Sequence, residues 1–229
     1  KYWELYDPSS IELANNPYAP KGSPDFAMTS WGELRKYYGI PARGPLTDDQ
    51  ARSMIHGYYA AVSYVDAQVG RLLDELERLG LAEKTIVVFW GDHGWKLGEH
   101  GGWCKHTNFV LDARVPMIFH KPKQKAAGRR SDALVEFVDI YPTLCDLAGL
   151  PIPEGLEGLS AAPLLDRPEL PWKLAAFSQY PRSAGGKKLM GYSMRTHRYR
   201  FTRWENRQDP EDVVTIEIYD HMEDPDENV

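Results

Sequence analysis

A short apolar run that leads straight into a glycine-rich polar loop is the feature that most constrains the fold of this chain. The run, Thr85–Trp90 (TIVVFW), is rich in β-branched residues and lacks polar alternation. That pattern predicts a strand buried on both faces of a parallel or mixed sheet. Asp92 and His93 follow directly, between Gly91 and Gly94. Because ligands collect at the carboxyl ends of strands in α/β sheets, we expect these two side chains at a functional site.

The segments on either side of this run alternate between predicted helices and strands. A long helix is predicted from Thr47, which suits an N-cap, to the glycine at Gly80. A second buried strand is predicted over residues 115–120, and a further helix over residues 139–147. This alternation indicates an α/β fold.

The pattern changes after the turn-rich stretch that ends near residue 171. Four short segments there favour strands of an antiparallel sheet, at residues 175–179, 190–195, 199–204 and 213–219. We therefore predict a separate small lobe over residues 172–229. Its two histidines, His197 and His221, are expected at the surface.

Composition excludes several classes of protein. The chain has 229 residues, 42% of them apolar and 26% charged, which is typical of a globular protein. A net charge of −6 with scattered basic residues argues against a nucleic-acid partner. No apolar run is long enough to span a membrane. The two cysteines, Cys104 and Cys145, cannot form a disulfide framework or a cysteine-rich zinc site.

Asp92 and His93 allow more than one interpretation. A hard dication suits the Asp92 carboxylate, whereas the His93 imidazole also suits zinc. The simpler alternative is that both residues cap a glycine-rich turn. Lys105 would ordinarily be a solvated lysine, but beside a metal and an anionic ester it would bind the departing oxygen.

The whole surrounding string resembles a known family. The run GDHGWKLGEHGGWCKHTNF (residues 91–109), followed by RVPMIFHKP (residues 114–122), is similar to the second signature region of sulfatases of the alkaline-phosphatase superfamily. The flanking segments resemble the C-terminal part of the iduronate-2-sulfatase-like group, in the same order. They are GYYAAVSYVDAQVGRLLDELERLGL, LVEFVDIYPTLCDLAGL, SQYPR, KLMGYSMRTHRYRFTRW and IYDHMEDPDEN.

This resemblance implies a fold and a domain organisation. Residues 1–171 would form the C-terminal portion of the sulfatase α/β catalytic domain, with helices flanking its sheet. Residues 172–229 would form a small α+β subdomain with an antiparallel sheet. The N-terminal half of the fold would be missing from this chain. The resemblance also implies a periplasmic, secreted or lysosomal location.

The resemblance assigns site residues as well. Asp92 and His93 match two calcium ligands of the family, and Lys105 matches a lysine that contacts the sulfate group and the ester oxygen. Trp95 matches an aromatic wall of the substrate pocket. His106 stands at the rim of that pocket, where the iduronate enzymes commonly have tyrosine.

Two further substrate-binding residues come from the C-terminal segment. Lys188 aligns with a lysine that faces the sugar carboxylate in uronate-2-sulfatases, although the adjacent Lys187 could take the same register. Arg182 aligns with an arginine near the pocket, and a structural ion pair is the alternative for it.

The nucleophile of the family is absent from this sequence. Sulfatases convert the cysteine of a Cys-x-Pro-x-Arg signature to formylglycine, and neither Cys104 nor Cys145 lies in such a signature. The resemblance therefore implies a complete enzyme that hydrolyses sulfate esters of sulfated glycans, such as the 2-O-sulfate of a uronic acid. The present chain is expected to be inactive alone and to need the missing half as a partner.

Two other functions remain open at this point. One is a phosphodiesterase or phosphonate hydrolase of the same superfamily, since Asp-His-Gly alone is shared with those enzymes. The other is a noncatalytic carbohydrate-binding fragment.

Overall fold

The computed structural model describes all residues, Lys1–Val229, as a mixed α/β chain with antiparallel sheets. Its α-helices are α1 (Asp48–Arg78), α2 (Val110–Ala113) and α3 (Ile140–Leu147). Its strands are β1 (Val87–Trp90), β2 (Lys96–Leu97), β3 (Trp103–Cys104), β4 (Met117–His120), β5 (Ala176–Ala184), β6 (Lys187–Arg195), β7 (Tyr199–Asn206) and β8 (Asp209–Asp220). None of the helices is both long and apolar enough to cross a membrane.

Helix α1 begins and ends where the sequence predicts. The Thr47 hydroxyl accepts a hydrogen bond from the Gln50 amide (3.2 Å), and the Gln50 side chain accepts one from the Thr47 amide (3.0 Å). This reciprocal capping box satisfies two free amide groups at the helix start. At the other end Gly80 takes a positive φ of 66°, which ends the helix without strain.

Strand β1 corrects one prediction. It pairs only with β4, in antiparallel register from Val87↔His120 to Trp90↔Met117. Trp90 remains 45% exposed and Ile118 on the partner strand remains 57% exposed. Burial on both faces is therefore wrong for this chain, because an apolar strand is buried only where another layer covers it, and β1 has a single neighbouring strand.

The C-terminal region forms one four-stranded antiparallel sheet, in the order β5-β6-β7-β8. The four predicted strands are confirmed, and each is longer in the structure than the predicted segment. Leu189 and Trp204 are completely buried in this sheet and pack with Tyr219, Ala27 and Phe109. The last two belong to the first half of the chain, so the sheet shares its core with that half. The boundary at residue 171 stays a prediction.

A second core lies under the β2–β3 hairpin. Ile55 of α1 packs there with Trp103 and Cys104 of β3, and with Trp31 and Leu34 from the irregular N-terminal segment. The hairpin pairs Lys96 with Cys104 and Leu97 with Trp103. This core fixes the loop that follows β1 against the rest of the molecule.

Candidate active site

Asp92 and His93 converge just beyond the end of β1. The Asp92 Oδ2 atom lies 3.4 Å from the His93 Nε2 atom. His93 Nδ1 lies 2.9 Å from the Gly94 carbonyl oxygen. Because a carbonyl oxygen only accepts, this contact selects the tautomer with the proton on Nδ1, in which Nε2 presents its lone pair toward the Asp92 carboxylate. Two acceptors therefore face each other, which is the arrangement that a cation between them would favour.

Gly94 is required by the packing of this turn. A Cβ atom at Gly94 would lie 1.7 Å from the Leu111 carbonyl oxygen, and the Gly94 amide donates to the Asp112 carbonyl at 2.8 Å. No side chain larger than hydrogen fits at that distance. The close approach holds the loop against α2 and so sets the direction of His93.

Asp92 and His93 alone do not make a complete metal site. No group of three or more His, Cys, Asp or Glu side chains comes together in a way that could hold a metal ion. Calcium takes about six to eight oxygen ligands. The Asp92 side chain is 85% exposed, so its carboxylate is open to further ligands on the opposite side. The pair fits part of a calcium site, and calcium itself stays a prediction.

Lys105 lies in a strained segment next to this pair. Its two neighbours, Cys104 and His106, take positive φ angles of 65° and 86°. Such left-handed residues cost about 1–3 kcal/mol each and persist only where the surroundings impose them. Lys105 Nζ is 2.8 Å from a Glu33 carboxylate oxygen and 4.9 Å from the centre of the Trp95 ring. The ammonium group is therefore held by a carboxylate and an aromatic face.

One cleft of about 830 Å³ brings most of the predicted site together. Asp92, His93, Lys105 and His106 all line it, on the side of the β1 loop. The opposite side is formed by the antiparallel sheet, through residues of β5, β6 and β7. The site therefore lies between the two halves of the chain.

His106 is positioned by the sheet across this cleft. Its ring stacks on the Tyr180 ring, with centroids 5.4 Å apart. Burial lowers the pKa of His106, and the nearby Lys105 charge lowers it further. The imidazole is therefore neutral at pH 7 and offers one acceptor and one donor at the rim.

Comparison with known proteins decides the family. The sulfatase family model matches residues 16–150, and the model of the N-sulphoglucosamine sulphohydrolase C-terminal region matches residues 98–229. The chain belongs to the sulfatase family. It is similar to iduronate 2-sulfatase of Homo sapiens, at 36% identity over 89% of this chain and 48% of that protein, and to the Mus musculus enzyme at 35%. The chain thus spans about half the length of these relatives.

Solved structures support the fold. One solved structure is of a protein in complex with its substrate D-glucosamine-2-N,6-O-disulfate. It is 31% identical to this chain and matches with a TM-score of 0.67, and the match covers 80% of this chain and 37% of the other chain. A phosphonate monoester hydrolase from Silicibacter pomeroyi is 26% identical and matches with a TM-score of 0.74. That match covers 96% of this chain and 46% of the hydrolase chain. The alkaline-phosphatase-like sulfatase fold predicted from the sequence is confirmed.

Trp95 of this sulfatase chain lies behind the cleft. Its ring stacks between the rings of His93 (5.9 Å) and Tyr58 of α1 (6.0 Å), with both interplanar angles at 23°. It is partly buried against the hairpin core and does not line the cleft. Trp95 therefore supports the His93 imidazole from behind, and its role as a substrate wall stays a prediction.

Arg182 of β5 forms no ion pair, so the structural ion pair considered for it above is wrong. Its guanidinium group donates to the carbonyl oxygens of Phe26 (2.7 Å), Ala27 (3.0 Å) and His106, and contacts no carboxylate. Burial lowers the pKa of Arg182. The side chain ties the N-terminal segment and the Lys105 loop to the sheet, so it positions the site from outside the cleft.

Lys188 of β6 lies away from the other predicted residues. Its ammonium group is 3.3 Å from the Ser183 hydroxyl, on the exposed hairpin of β5 and β6. Neither Lys188 nor Lys187 lines the cleft, and Lys187 pairs with Asp212 at 2.6 Å. Contact between Lys188 and a sugar carboxylate stays a prediction.

Sequence reasoning missed a buried network beneath the Lys105 loop. Lys96 is fully buried, and its ammonium group donates to Asp112 (2.5 Å) and to the Thr107 hydroxyl (2.6 Å). Asp112 also accepts from the Thr107 amide at 2.6 Å. Burial lowers the pKa of Lys96, and the Asp112 charge opposes that shift. A lysine in a glycine-rich loop gives no sequence signal of burial, because its partner lies in a different turn.

Proposed function

We propose that the protein to which this chain contributes hydrolyses sulfate esters on glycans. One observation carries the proposal: in a chain of the sulfatase family, Asp92, His93 and Lys105 line the same cleft. A carboxylate and an imidazole suited to a cation, beside a lysine, form a site complementary to an anionic ester. The match covers about half the length of the iduronate 2-sulfatases that this chain resembles, so the activity is proposed for the complete protein.

Asp92 and His93 are proposed to hold two positions of a calcium site. The other ligands, and the formylglycine nucleophile, are expected from parts of the protein outside this chain. Calcium bound there would offset negative charge on the sulfate oxygens. The chain's own contribution is to orient the ligands: the bond from His93 Nδ1 to the Gly94 carbonyl fixes the ring, and Trp95 supports it from behind.

Lys105 is proposed as the catalytic residue of this chain. An ammonium group stabilises the negative charge that develops on the ester oxygen as the sulfur–oxygen bond breaks. Its bond to Glu33 keeps the side chain in place before an anion arrives. His106, next to it, is proposed to contact the sugar at the rim of the cleft, and Arg182 holds the His106 backbone by donating to its carbonyl oxygen. Lys188 is proposed to contact a sugar carboxylate.

The sugar is proposed from the similar proteins. The similarity to iduronate 2-sulfatase favours the 2-O-sulfate of a uronic acid. The similarity to the protein bound to D-glucosamine-2-N,6-O-disulfate favours a sulfated glucosamine. We propose the uronate 2-O-sulfate as the first substrate to test, because the iduronate 2-sulfatase match covers more of this chain.

The exposed apolar surface of α1 and β1 is proposed as the contact for the rest of the protein. Val62, Val65 and Leu72 of α1 are exposed, as are Trp90 of β1 and Ile118 of β4. Large apolar side chains exposed in this number favour an interface. A segment of the complete protein that covers it would add the second layer that β1 lacks here.

A phosphonate monoester hydrolase is the second candidate. The structural match to the enzyme from Silicibacter pomeroyi covers 96% of this chain, and a phosphonate monoester carries the same kind of anionic group as a sulfate ester. Lys105 and a metal would serve either reaction, so the substrates must be compared directly.

The test uses the complete protein with an aryl sulfate, a 2-O-sulfated uronate disaccharide and an aryl phosphonate monoester. Release of sulfate from the first two is the expected result. Replacing Lys105 with Ala should lower kcat at least about 100-fold, the typical effect of losing one charge-stabilising group. Lys84→Ala is the matched control, since that lysine is exposed and lies outside the cleft.

Three results would contradict these assignments. Unchanged turnover in Lys105→Ala would remove its catalytic role. Faster hydrolysis of the phosphonate than of both sulfate esters would favour the second candidate. Robust sulfate release by the 229-residue chain alone would refute the expected need for a nucleophile from elsewhere.

A further inference from the structure

We propose that Arg114, Arg195 and His197 form a second anion-binding subsite in the same cleft, for a sulfate or carboxylate group of the substrate other than the one that reacts. All three line the cleft that holds Asp92 and Lys105. Arg114 follows α2, Arg195 is the last residue of β6, and His197 lies in the β6–β7 turn. Two separate parts of the fold therefore bring cationic side chains to one surface.

Most N–H donors of Arg114 and Arg195 make no hydrogen bond within the chain. Arg195 makes one side-chain hydrogen bond, to the Thr196 carbonyl oxygen, and Arg114 makes none. Neither forms an ion pair with a carboxylate of this chain. A guanidinium group has five N–H donors in a planar fork that matches sulfate and carboxylate oxygens. Unused donors in a half-buried cleft are suited to a ligand.

The carboxylates near this surface are already engaged. Glu227 accepts from Arg200 (2.6 Å) and His221 (2.8 Å), and Glu136 accepts from Lys173 (2.7 Å). Asp112 is bound to Lys96 within the buried network. Of the cleft-lining carboxylates, Asp132 is exposed and pairs with neither arginine.

The charges around Arg195 repel it. Burial lowers the pKa of Arg195, and the like charges of Arg200 and Arg114 add to that effect, against the attraction of Glu227. Glu227 is shared with Arg200 and His221, so it does not neutralise the cluster. An anion bound between Arg114 and Arg195 would relieve this repulsion.

The β6–β7 turn makes a firm platform for the subsite. The Thr196 amide donates to the Tyr199 carbonyl oxygen (2.8 Å), and the Tyr199 amide donates to the Thr196 hydroxyl (2.9 Å). These bonds close the turn that carries His197. Because the cleft volume lies toward the upper end of the roughly 300–1,000 Å³ range of ligand pockets, it has room for more than the reacting ester group.

This inference rests on the proposed function, and its test separates the two. The complete protein is assayed on three substrates: an aryl sulfate, a 2-O-sulfated uronate disaccharide, and the same disaccharide with one further sulfate on its second sugar. A carboxyl-reduced form of the last substrate distinguishes a sulfate from a carboxylate as the bound group. The variants are Arg114→Gln and Arg195→Gln, with Arg207→Gln as the control, since Arg207 is exposed, outside the cleft and in the turn between β7 and β8.

In each cleft variant the ratio of kcat/KM for the doubly sulfated disaccharide to that for the aryl sulfate should fall about tenfold, mainly through KM, as expected for one lost charged hydrogen bond. In the Arg207→Gln control, the ratio of the two kcat/KM values should equal that of the unaltered protein. A ratio that stays constant in both cleft variants would overturn the subsite. Arg114→Gln is decisive if Arg195→Gln fails to fold, because Arg114 is exposed.

A binding measurement keeps the inference testable if the protein hydrolyses no sulfate ester. In that case the proposed function fails, and calorimetry on the doubly sulfated disaccharide decides the subsite. A tenfold weaker Kd in Arg114→Gln, with Kd unchanged in Arg207→Gln, would support it. Equal Kd values in all the variants would refute it.

Discussion

The antiparallel sheet of the C-terminal region and the β1–β4 ribbon with α1 contain similar apolar residues but bury them very differently. In the sheet, Leu189 and Trp204 are completely covered. In the ribbon, Trp90 and Ile118 are roughly half exposed, and Leu72 on α1 is more exposed still. The difference comes from the second layer, because the N-terminal segment and the Phe109 loop cover one face of the sheet, whereas nothing in this chain covers the ribbon in the same way. On the other face of the sheet, Phe177 and Ile218 stay exposed.

The two regions also differ in the burial and hydrogen bonding of their polar groups. Glu217 lies inside the sheet, where it accepts from Trp204 Nε1 (2.5 Å) and the Tyr219 hydroxyl (2.9 Å). Asp92, at the end of the ribbon, stays exposed, and its only strong partner is the adjacent His93. Fully satisfied buried groups fix one structure, whereas unsatisfied groups at an open edge are available to a ligand. The sheet is therefore the scaffold, and the end of the ribbon carries the side chains that are available to bind a ligand.

The largest expected difference between the regions is in the energy of packing. Trp204→Ala should lower the free energy of unfolding of the chain by about 4 kcal/mol, since it leaves a large cavity in the core. Ile118→Ala should cost under about 1 kcal/mol, because that side chain is largely solvated. Urea unfolding followed by circular dichroism measures both. Equal losses for the two variants would show that the ribbon is as well packed as the sheet.

The next effect concerns the buried ion pair of the sheet. Burial alone would raise the pKa of Glu227, but the bond from His221 and the charge of Arg200 outweigh it, so the pKa is lowered. A carboxyl with a lowered pKa contributes stability at neutral pH that is lost as the pH falls from its unfolded value toward its folded value. Glu227→Gln should cost about 3 kcal/mol at pH 7 and flatten the loss of stability below about pH 4.5.

The control for that experiment is Glu211→Gln, an exposed carboxyl on β8. Unfolding free energies from pH 3 to pH 7 should be parallel for the control and the unaltered chain. If Glu227→Gln keeps the full acid sensitivity of the chain, Glu227 is not the group that carries it.

The smallest expected effect requires no mutation. Amide hydrogens of β7, between two neighbouring strands and over a closed core, should exchange only by global unfolding. Amides of β1 should exchange by local opening, at a free energy lower by on the order of 2 kcal/mol. Native-state hydrogen exchange measures this gap directly. Addition of the rest of the protein should close the gap if that part covers the ribbon, and a gap that persists would count against this contact.

Much of the local structure followed from the sequence. The N-cap residue Thr47, the glycine at Gly80 and the alternating segments after residue 171 predicted α1 and the four strands of the sheet. The strand followed by a glycine-rich loop predicted that Asp92 and His93 lie at the end of β1, and they do. Each of these signals depends on residues a few positions apart, so it can be predicted from the sequence alone.

The tertiary structure alone decided the partners of the site residues and the burial of each element. Lys105 pairs with Glu33, Lys96 with Asp112, and Arg182 with carbonyl groups far along the chain. It also placed His221 inside the molecule, although its position in the sequence suggested the surface. Local patterns specify helices, turns and strands, but burial and ion pairing depend on which distant segments pack together, and only the folded chain determines that packing.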